Sequence, residues 1–201
     1  MKDIVSLDQL DLVNGRYSYA DYLNWDFEKW VELIKGKVLP MAAPSRRHQE
    51  ISRELNFLLY KYFMTSPCKF FAAPFDVRLY DKRKSVKANK DVFTVIQPDV
   101  CVICDESKLD KKGCFGSPDL VIEILSPGNS AKEMKTKKLL YEENEIREYW
   151  IFDPERETVH QFNLTEANIY SPASIYVKDE TLNCFIFPDL KIPLEEIFKF
   201  S

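Results

Sequence analysis

The chain has 201 residues, of which 45% are hydrophobic, and a formal net charge of −4. This length is typical of one domain with a sizeable core, so we predict a single domain over residues 1–201, with an N-terminal docking segment over about residues 1–28. The absence of GxGxxG and GxxxxGK[ST] motifs excludes the common nucleotide phosphate loops. The presence of only two histidines excludes a multi-histidine zinc site.

Cysteine usage and hydropathy bear on the cellular compartment. Five cysteines without disulfide-like spacing favour a reducing interior, where disulfides are rare. The longest apolar run is too short to span a membrane, and residues 1–12 are too acidic for a signal peptide. We therefore expect a cytoplasmic protein without a membrane partner.

The first half of the chain predicts a long amphipathic helix after a hairpin. Ser45 is a suitable N-cap for this helix, on which Arg53 and Lys61 should be exposed. Four apolar residues share the stripe that should be buried: Ile51, Leu55, Leu58 and Leu59. The predicted elements are a short helix near 18–24, a hairpin over 30–39, a helix over 46–64, a strand over 70–79 and a basic loop over 80–91.

The second half of the chain alternates short apolar runs with one further long helix. Strands and helices mix without regular alternation, which predicts an α/β (α+β) fold with a mixed sheet flanked by helices. The predicted elements are strands within 93–104 and 120–125, a helix from about 130 to 144, a hairpin of 148–152 with 158–162, strands near 174–178 and 182–187, and a helix near 194–199.

Two carboxylates stand in apolar surroundings. Glu123 interrupts the run Leu120–Leu125, which is apolar enough for a strand covered on both faces, and Asp99 stands where another apolar strand begins. An ionised carboxylate is costly to bury without compensation. Carboxylates at the ends of adjacent strands suit a hard cation such as Mg²⁺. The alternative is structural, with Asp99 capping a turn and Glu123 paired with an arginine.

Weaker signals allow other interpretations. Basic residues cluster over 78–90 and 132–138, either as solvated faces or as phosphate contacts. His48 follows the N-cap of the long helix, where a surface position is the usual one for histidine. Cys101 and Cys104 form a CxxC, but on a strand their sulfurs face opposite sides, which disfavours zinc.

Several stretches, taken together and in this order, resemble the Uma-two family of restriction endonucleases in the PD-(D/E)XK nuclease superfamily. The resemblance covers about residues 25–165. It implies a restriction-endonuclease-like core, a central mixed sheet with helices on both sides. The matching stretches are Val31–Val38, Ala43–Ile51, Pro98-Asp99, Pro118–Pro127, Lys137–Tyr141 and Glu148–Pro154.

The same resemblance implies a metal-dependent DNA endonuclease that hydrolyses phosphodiester bonds with Mg²⁺ or Mn²⁺. Asp99 and Glu123 would be its two motif acids and Glu32 a further acid of the site, so that all three could ligate the metal. The usual motif lysine position holds Leu125, which cannot orient water. DNA is the implied partner, and a homodimer stays open.

The missing lysine is expected to have moved to the following helix. Lys137 fits the family pattern, with Glu133 four residues before it and Tyr141 four after it, all on one helix face. Glu133 would then hold Lys137 charged, and Lys137 would position the attacking water. Lys135 and Lys138 remain competing candidates.

Two other functions stay open on the sequence. Leu125 and the acidic composition are compatible with a catalytically degenerate nuclease fold that binds nucleic acid or a protein partner. A two-carboxylate hydrolase such as a glycosidase is a further class. The sequence does not separate DNA from RNA as substrate.

Overall fold

The computed structural model describes residues 4–28, 30–80, 88–127 and 131–199, which contain four α-helices and fourteen strands. The helices are α1 (Tyr19–Tyr22), α2 (Arg46–Phe63), α3 (Ala131–Glu143) and α4 (Leu194–Ile197). The strands are β1 (Val31–Ile34), β2 (Lys37–Pro40), β3 (Lys69–Ala72), β4 (Val77–Leu79), β5 (Thr94–Ile96), β6 (Val100–Ile103), β7 (Leu109–Asp110), β8 (Gly113–Phe115), β9 (Leu120–Ile124), β10 (Glu148–Asp153), β11 (Thr158–Asn163), β12 (Ser174–Val177), β13 (Thr181–Asn183) and β14 (Lys191–Pro193). Among these described residues, no helix has both the length and the apolar character needed to cross a membrane.

The strands of the described residues form two six-stranded sheets and one small two-stranded sheet. The first sheet has the order β2-β1-β5-β4-β8-β7, and the second has the order β12-β11-β10-β9-β6-β3. Both are mixed, because β4 pairs with β8 and β9 pairs with β10 in parallel while the other pairs are antiparallel. The predicted mixed α/β class is confirmed, with two large sheets in place of one central sheet.

Two prolines interrupt extended runs of the sequence: the single strand predicted over 70–79, and the apolar run 93–104, in which a strand is predicted to begin at Asp99. The run 70–79 splits into β3 and β4 around Pro74, and the run 93–104 splits into β5 and β6 around Pro98. In both cases the two pieces belong to different sheets. Proline has no N–H to donate to a ladder, so a central strand does not continue through it. The chain therefore passes from the first sheet to the second at residues 97–99.

Helix α2 follows its predicted amphipathic pattern. The Ser45 hydroxyl accepts a hydrogen bond from the His48 backbone N–H at 3.2 Å, as an N-cap does. Ile51, Leu55 and Leu59 are buried against the second sheet, whereas Leu58 is only half-buried. The exposed positions of Arg53 and Lys61 are as predicted.

Strand β9 is covered on both faces, as its apolar sequence predicts. Leu120, Ile122 and Ile124 belong to the buried cluster that contains α2 and α4 residues. Val121 belongs to the opposite cluster, which contains Leu140 and other residues of α3. Because side chains alternate along a strand, Glu123 lies on the α3 side.

The N-terminal segment packs on the first sheet. The helix predicted near residues 18–24 is the single turn α1, in which Tyr19 is buried. Leu10 and Tyr19 share a buried cluster with β1 and β5 residues, including Leu33 and Val95. The packing of this segment brings its aromatic residues close to residue 97.

Glu148 is another buried acid, and the hydrogen bonds to its carboxylate indicate a structural role. Its carboxylate accepts hydrogen bonds from the Trp150 indole at 2.6 Å, from Gln161 at 2.6 Å and from the Ile186 backbone N–H at 2.9 Å. The Phe185 N–H also donates to it, at 3.0 Å. These neutral donors tie β10 to the loop after β13.

Two features of the fold escaped the sequence analysis. Cys68 and Cys104 form a disulfide, because the antiparallel register that pairs Lys69 with Ile103 places the next residues opposite each other. The expectation of a chain without disulfides is therefore wrong, and Cys104 is unavailable as half of a zinc CxxC. The sequence analysis also did not predict strand β14, which pairs with β13. It did predict the β10–β11 hairpin.

Truncation of Leu55 to alanine should destabilise the protein by about 2–5 kcal/mol, because its fully buried side chain would leave a cavity between α2 and the second sheet. Urea unfolding followed by circular dichroism measures this free energy. Tyr60→Ala on the exposed face of the same helix is the matched control and should change it by about 0.5 kcal/mol or less. Equal effects of the two substitutions would show that the helix phase is wrong.

Candidate active site

The candidate site lies where the chain crosses between the two large sheets. Glu32 projects from β1 of the first sheet, and Glu123 projects from β9 of the second. Asp99 stands in the connection between β5 and β6, directly after Pro98. Lys137 comes from α3, which covers the Glu123 face of β9. Four residues far apart in the sequence thus meet at one place.

Lys137 is the lysine of α3 that reaches the acidic residues. Its ammonium lies 3.0 Å from Oε1 of Glu123 and 3.1 Å from Oε1 of Glu32, and all three side chains are buried. Lys135 is exposed, and the Lys138 ammonium lies over the Phe162 ring, 5.1 Å from its centroid. Since each residue of a helix turns by about 100°, these three lysines point in different directions.

The partners of Lys137 differ from the sequence-based expectation. The family pattern indicated Glu133 as the acid that holds Lys137 charged, whereas the contacting carboxylates are Glu32 and Glu123. Glu133 precedes Lys137 by one helical turn, but β1 and β9 bring acids to the end of the lysine side chain. Leu125, at the usual lysine position, is half-buried and packs on the apolar cluster beside α3.

Two further donors orient the glutamates. The Tyr141 hydroxyl donates to Oε1 of Glu123, and the Gln97 backbone N–H donates to Oε1 of Glu32 at 3.0 Å. The Gln97 side chain is itself held by the Tyr22 hydroxyl at 3.1 Å and by Asp76 Oδ1 at 2.8 Å. The N-terminal segment therefore contributes to the support of Glu32.

Both carboxylate oxygens of Asp99 have polar partners. Oδ2 accepts from the Ile124 backbone N–H at 2.7 Å, which places the carboxylate at the end of β9 beside Glu123. Oδ1 lies 3.0 Å from Nε2 of His48. The expectation of a surface position for His48 is wrong, because this side chain is buried. Its position was readable in the sequence, since His48 continues the buried stripe of Ile51 and Leu55 by one turn.

Burial and charge act differently on the two central groups. The pKa of Glu123 is raised to about 7, mainly by burial and also by the negative charges of Asp99 and Glu32. The positive charge of Lys137 acts in the opposite direction and lowers this pKa. Burial alone would lower the pKa of Lys137, but the carboxylates of Glu123 and Glu32 raise it above its ordinary value. Lys137 is therefore an ammonium at neutral pH.

The donor chemistry of the site suits a hard divalent cation. Among the described residues, no group of three or more His, Cys, Asp or Glu side chains is arranged to hold a metal. Asp99, just before β6, and Glu123 in the neighbouring strand β9 still offer two carboxylates. Mg²⁺ commonly takes one or two carboxylates together with water and phosphate. The contacts of Lys137, Gln97 and Tyr141 all use Oε1 of the glutamates, so hydrogen bonds from described residues leave each Oε2 for other ligands.

The basic stretch after β4 lies partly outside the described residues. Residues 81–87, which include most of the predicted phosphate-contacting loop, lie outside the described residues. Arg78 at its start is not a surface charge, because it is buried, with an ion pair to Asp110 at 2.6 Å. In the second basic stretch, Lys137 is buried in the site and Lys138 contacts aromatic rings.

The Uma2 profile, described as "Putative restriction endonuclease", matches residues 19–195. The chain belongs to the Uma2 family. The resemblance over residues 25–165 is thereby confirmed and extended at both ends. An uncharacterized protein of Synechocystis sp. (strain PCC 6803) is 26% identical to this Uma2 chain over 131 residues, 64% of each chain. The Uma2 chain thus spans just under two thirds of that relative.

A solved structure shares the fold of this Uma2 protein. The crystal structure of a "putative nuclease belonging to DUF820" from Anabaena variabilis superposes with a TM-score of 0.70 at 18% identity, over 92% of this chain and 98% of that chain. The fold is therefore nuclease-like, in agreement with the restriction-endonuclease-like core that the resemblance implied. The description of the Uma2 family names a nuclease, and this neighbour shows the fold.

Proposed function

We propose that this Uma2 protein is a metal-dependent endonuclease that hydrolyses phosphodiester bonds in DNA. The observation that carries the proposal is the buried contact of the Lys137 ammonium with Glu32 and Glu123, beside the Asp99 carboxylate. Packing of the core alone would not require three acids and a lysine in one place. The choice of DNA rests on the family's description as restriction endonucleases.

The charge of the site favours a divalent cation. When Glu123 is ionised, the three carboxylates of Glu32, Asp99 and Glu123 against the Lys137 ammonium carry a formal charge of −2. Uncompensated buried charge is costly, and one Mg²⁺ or Mn²⁺ would balance it. Asp99 and Glu123 would hold the ion, and Glu32 would join them if the Lys137 ammonium turned toward substrate.

Lys137 acts as a hydrogen-bond donor in this proposal. When bound, Mg²⁺ or Mn²⁺ supplies positive charge to the phosphoryl group and to the attacking water. Because its pKa is raised, Lys137 keeps its proton and cannot be the general base. It would orient the attacking water and stabilise negative charge on the phosphoryl oxygens. In this role it replaces the motif lysine that Leu125 lacks.

Cleavage of supercoiled plasmid tests the proposal. We expect nicked and linear DNA with Mg²⁺ or Mn²⁺ and intact plasmid with EDTA, and a single-stranded RNA of mixed sequence should remain uncut. The Asp99→Asn/Glu123→Gln protein, purified in the same way, is the control against contaminating nucleases. Intact plasmid with either cation would overturn the proposal, and DNA binding without cleavage would favour the degenerate nuclease fold.

Assembly and location are secondary parts of the proposal. We propose a cytoplasmic protein because its proposed substrate, DNA, lies there; cysteine usage no longer supports this location, since Cys68 and Cys104 are bonded. A homodimer is the simplest assembly for cutting both strands of a duplex. Two copies related by a two-fold axis would present two sites to the two strands. Sedimentation with and without duplex DNA distinguishes the dimer from a monomer.

A further inference from the structure

His48 occupies a position that packing alone does not explain. Its side chain is buried at the first turn of α2, and Nδ1 has no hydrogen-bond partner among the described residues. A buried polar atom without a partner costs folding free energy, because it has lost its water. A leucine would fill the same stripe as Ile51 and Leu55 without that cost. The benefit of the histidine must therefore come from its other nitrogen.

The other nitrogen, Nε2, contacts the candidate metal ligand. It lies 3.0 Å from Oδ1 of Asp99, and because an ionised carboxylate only accepts, a hydrogen bond between the two side chains needs the N–H of His48. The backbone of His48 is fixed by its N–H bond to the Ser45 hydroxyl. The donor is thus presented from a capped, 18-residue helix rather than from a mobile loop.

Two contacts from different elements hold the Asp99 carboxylate. The Ile124 N–H of β9 donates to Oδ2, and Nε2 of His48 in α2 lies 3.0 Å from Oδ1. A carboxylate has about four lone-pair sites, so these bonds leave one on each oxygen. With one donor alone, the carboxylate could rotate about its terminal torsion, which has a broad energy profile.

We propose that His48 is a positioning residue, which holds the Asp99 carboxylate in the orientation that shares a divalent cation with Glu123. The inference deepens the proposed function and rests on it. Hydrogen bonds from outside the ligand set commonly orient metal-binding carboxylates, and their loss typically weakens metal binding by about 10–100-fold. His48 itself touches neither substrate nor metal in this role.

The test compares two substitutions with opposite donor properties. His48→Leu removes the donor and fills the space, whereas His48→Gln keeps an amide N–H at about the distance of Nε2. Mn²⁺ affinity is measured by isothermal titration calorimetry without DNA, and thermal unfolding verifies the fold. We expect His48→Leu to raise the Kd for Mn²⁺ by about 10–100-fold and His48→Gln to restore most of the affinity.

His160→Leu is the matched control, because this histidine lies on β11, with β10 between it and Glu123 of β9, and the Mn²⁺ affinity of this variant should equal that of the wild type. Wild-type affinity in His48→Leu would overturn the inference and leave the proposed function standing. Equal loss in a folded His48→Gln would also overturn it, since the donor would then not be what matters. If the wild type binds no Mn²⁺, the metal-dependent function itself fails.

Discussion

Replacement of Lys137 by alanine is expected to reduce Mg²⁺-dependent plasmid cleavage by about 100-fold or more, the size of effect that a positioned proton donor or charge usually has. The reason is that Lys137 is the cation in contact with both Glu32 and Glu123, and Leu125 cannot take its place. Initial rates of plasmid nicking at saturating Mg²⁺ measure the effect.

Lys138→Ala is the control on the same helix. The Lys138 ammonium lies over the rings of Phe162 and Tyr170, away from the acids, so its removal should leave cleavage within about twofold of the wild type. A Lys137→Ala protein that cuts at the wild-type rate would refute the assignment. Equal losses in the two variants would indicate a general effect on α3.

Lys137→Ala should also change stability, and in a pH-dependent way. Removing one partner of a buried ion pair typically costs about 3–5 kcal/mol, because the acids lose their counter-charge. The pKa of Glu123 should then rise further above its unfolded value of 4.5. The folded protein would bind a proton that the unfolded chain has released, so stability falls as the pH rises. Urea unfolding at pH 6 and pH 8 without metal should show a larger deficit at pH 8.

Glu123→Gln is expected to abolish cleavage while leaving the fold intact. Loss of one of two metal-holding carboxylates should reduce the rate by about 1,000-fold or more, which corresponds to about 4 kcal/mol of transition-state stabilisation. Glutamine has the same shape, and its carbonyl can still accept from Lys137 and Tyr141. Plasmid cleavage and Mn²⁺ titration measure the two losses separately.

The stability of Glu123→Gln provides the internal control. Burial raises the folded pKa of Glu123 to about 7, so the wild type loses stability as the pH rises from 4.5 through this value. Glutamine does not ionise and avoids this loss. At pH 8 the variant should therefore be at least as stable as the wild type. Retained cleavage by a folded Glu123→Gln protein would remove this acid from the proposed mechanism.

Local sequence patterns predicted the parts of the fold that depend on neighbouring residues. The β1–β2 hairpin, the amphipathic α2 and the doubly covered β9 follow from alternation, capping and an apolar run. The division of the strands into two sheets does not follow from local patterns, because the effect of Pro74 and Pro98 depends on which strands lie nearby. The Cys68–Cys104 disulfide likewise depends on the β3–β6 register.

The candidate site also depends on contacts between residues that are far apart in the sequence, which local patterns do not predict. The sequence and the family resemblance indicated Glu32, Asp99, Glu123 and Lys137, and the structure brings these four together. It was the pairing among them that sequence reasoning missed. Lys137 contacts Glu32, which lies 105 positions away, whereas the i, i+4 rule pointed to Glu133. His48 was missed because the apolar stripe was read only from Ile51 onward.

The division of the site between the two sheets has a consequence for how the protein acquires activity during folding. Asp99 and Glu123 can meet once β6 and β9 pair, but Glu32 and the Gln97 N–H that holds it belong to the other sheet. Contacts between distant parts of a chain form late, because closing long loops costs entropy. A chain in which only the second sheet has formed would thus hold part of the acidic set and lack the complete one. We expect the ability to cut DNA to appear only with the last folding step, so that incomplete chains would be harmless to the cell that makes them.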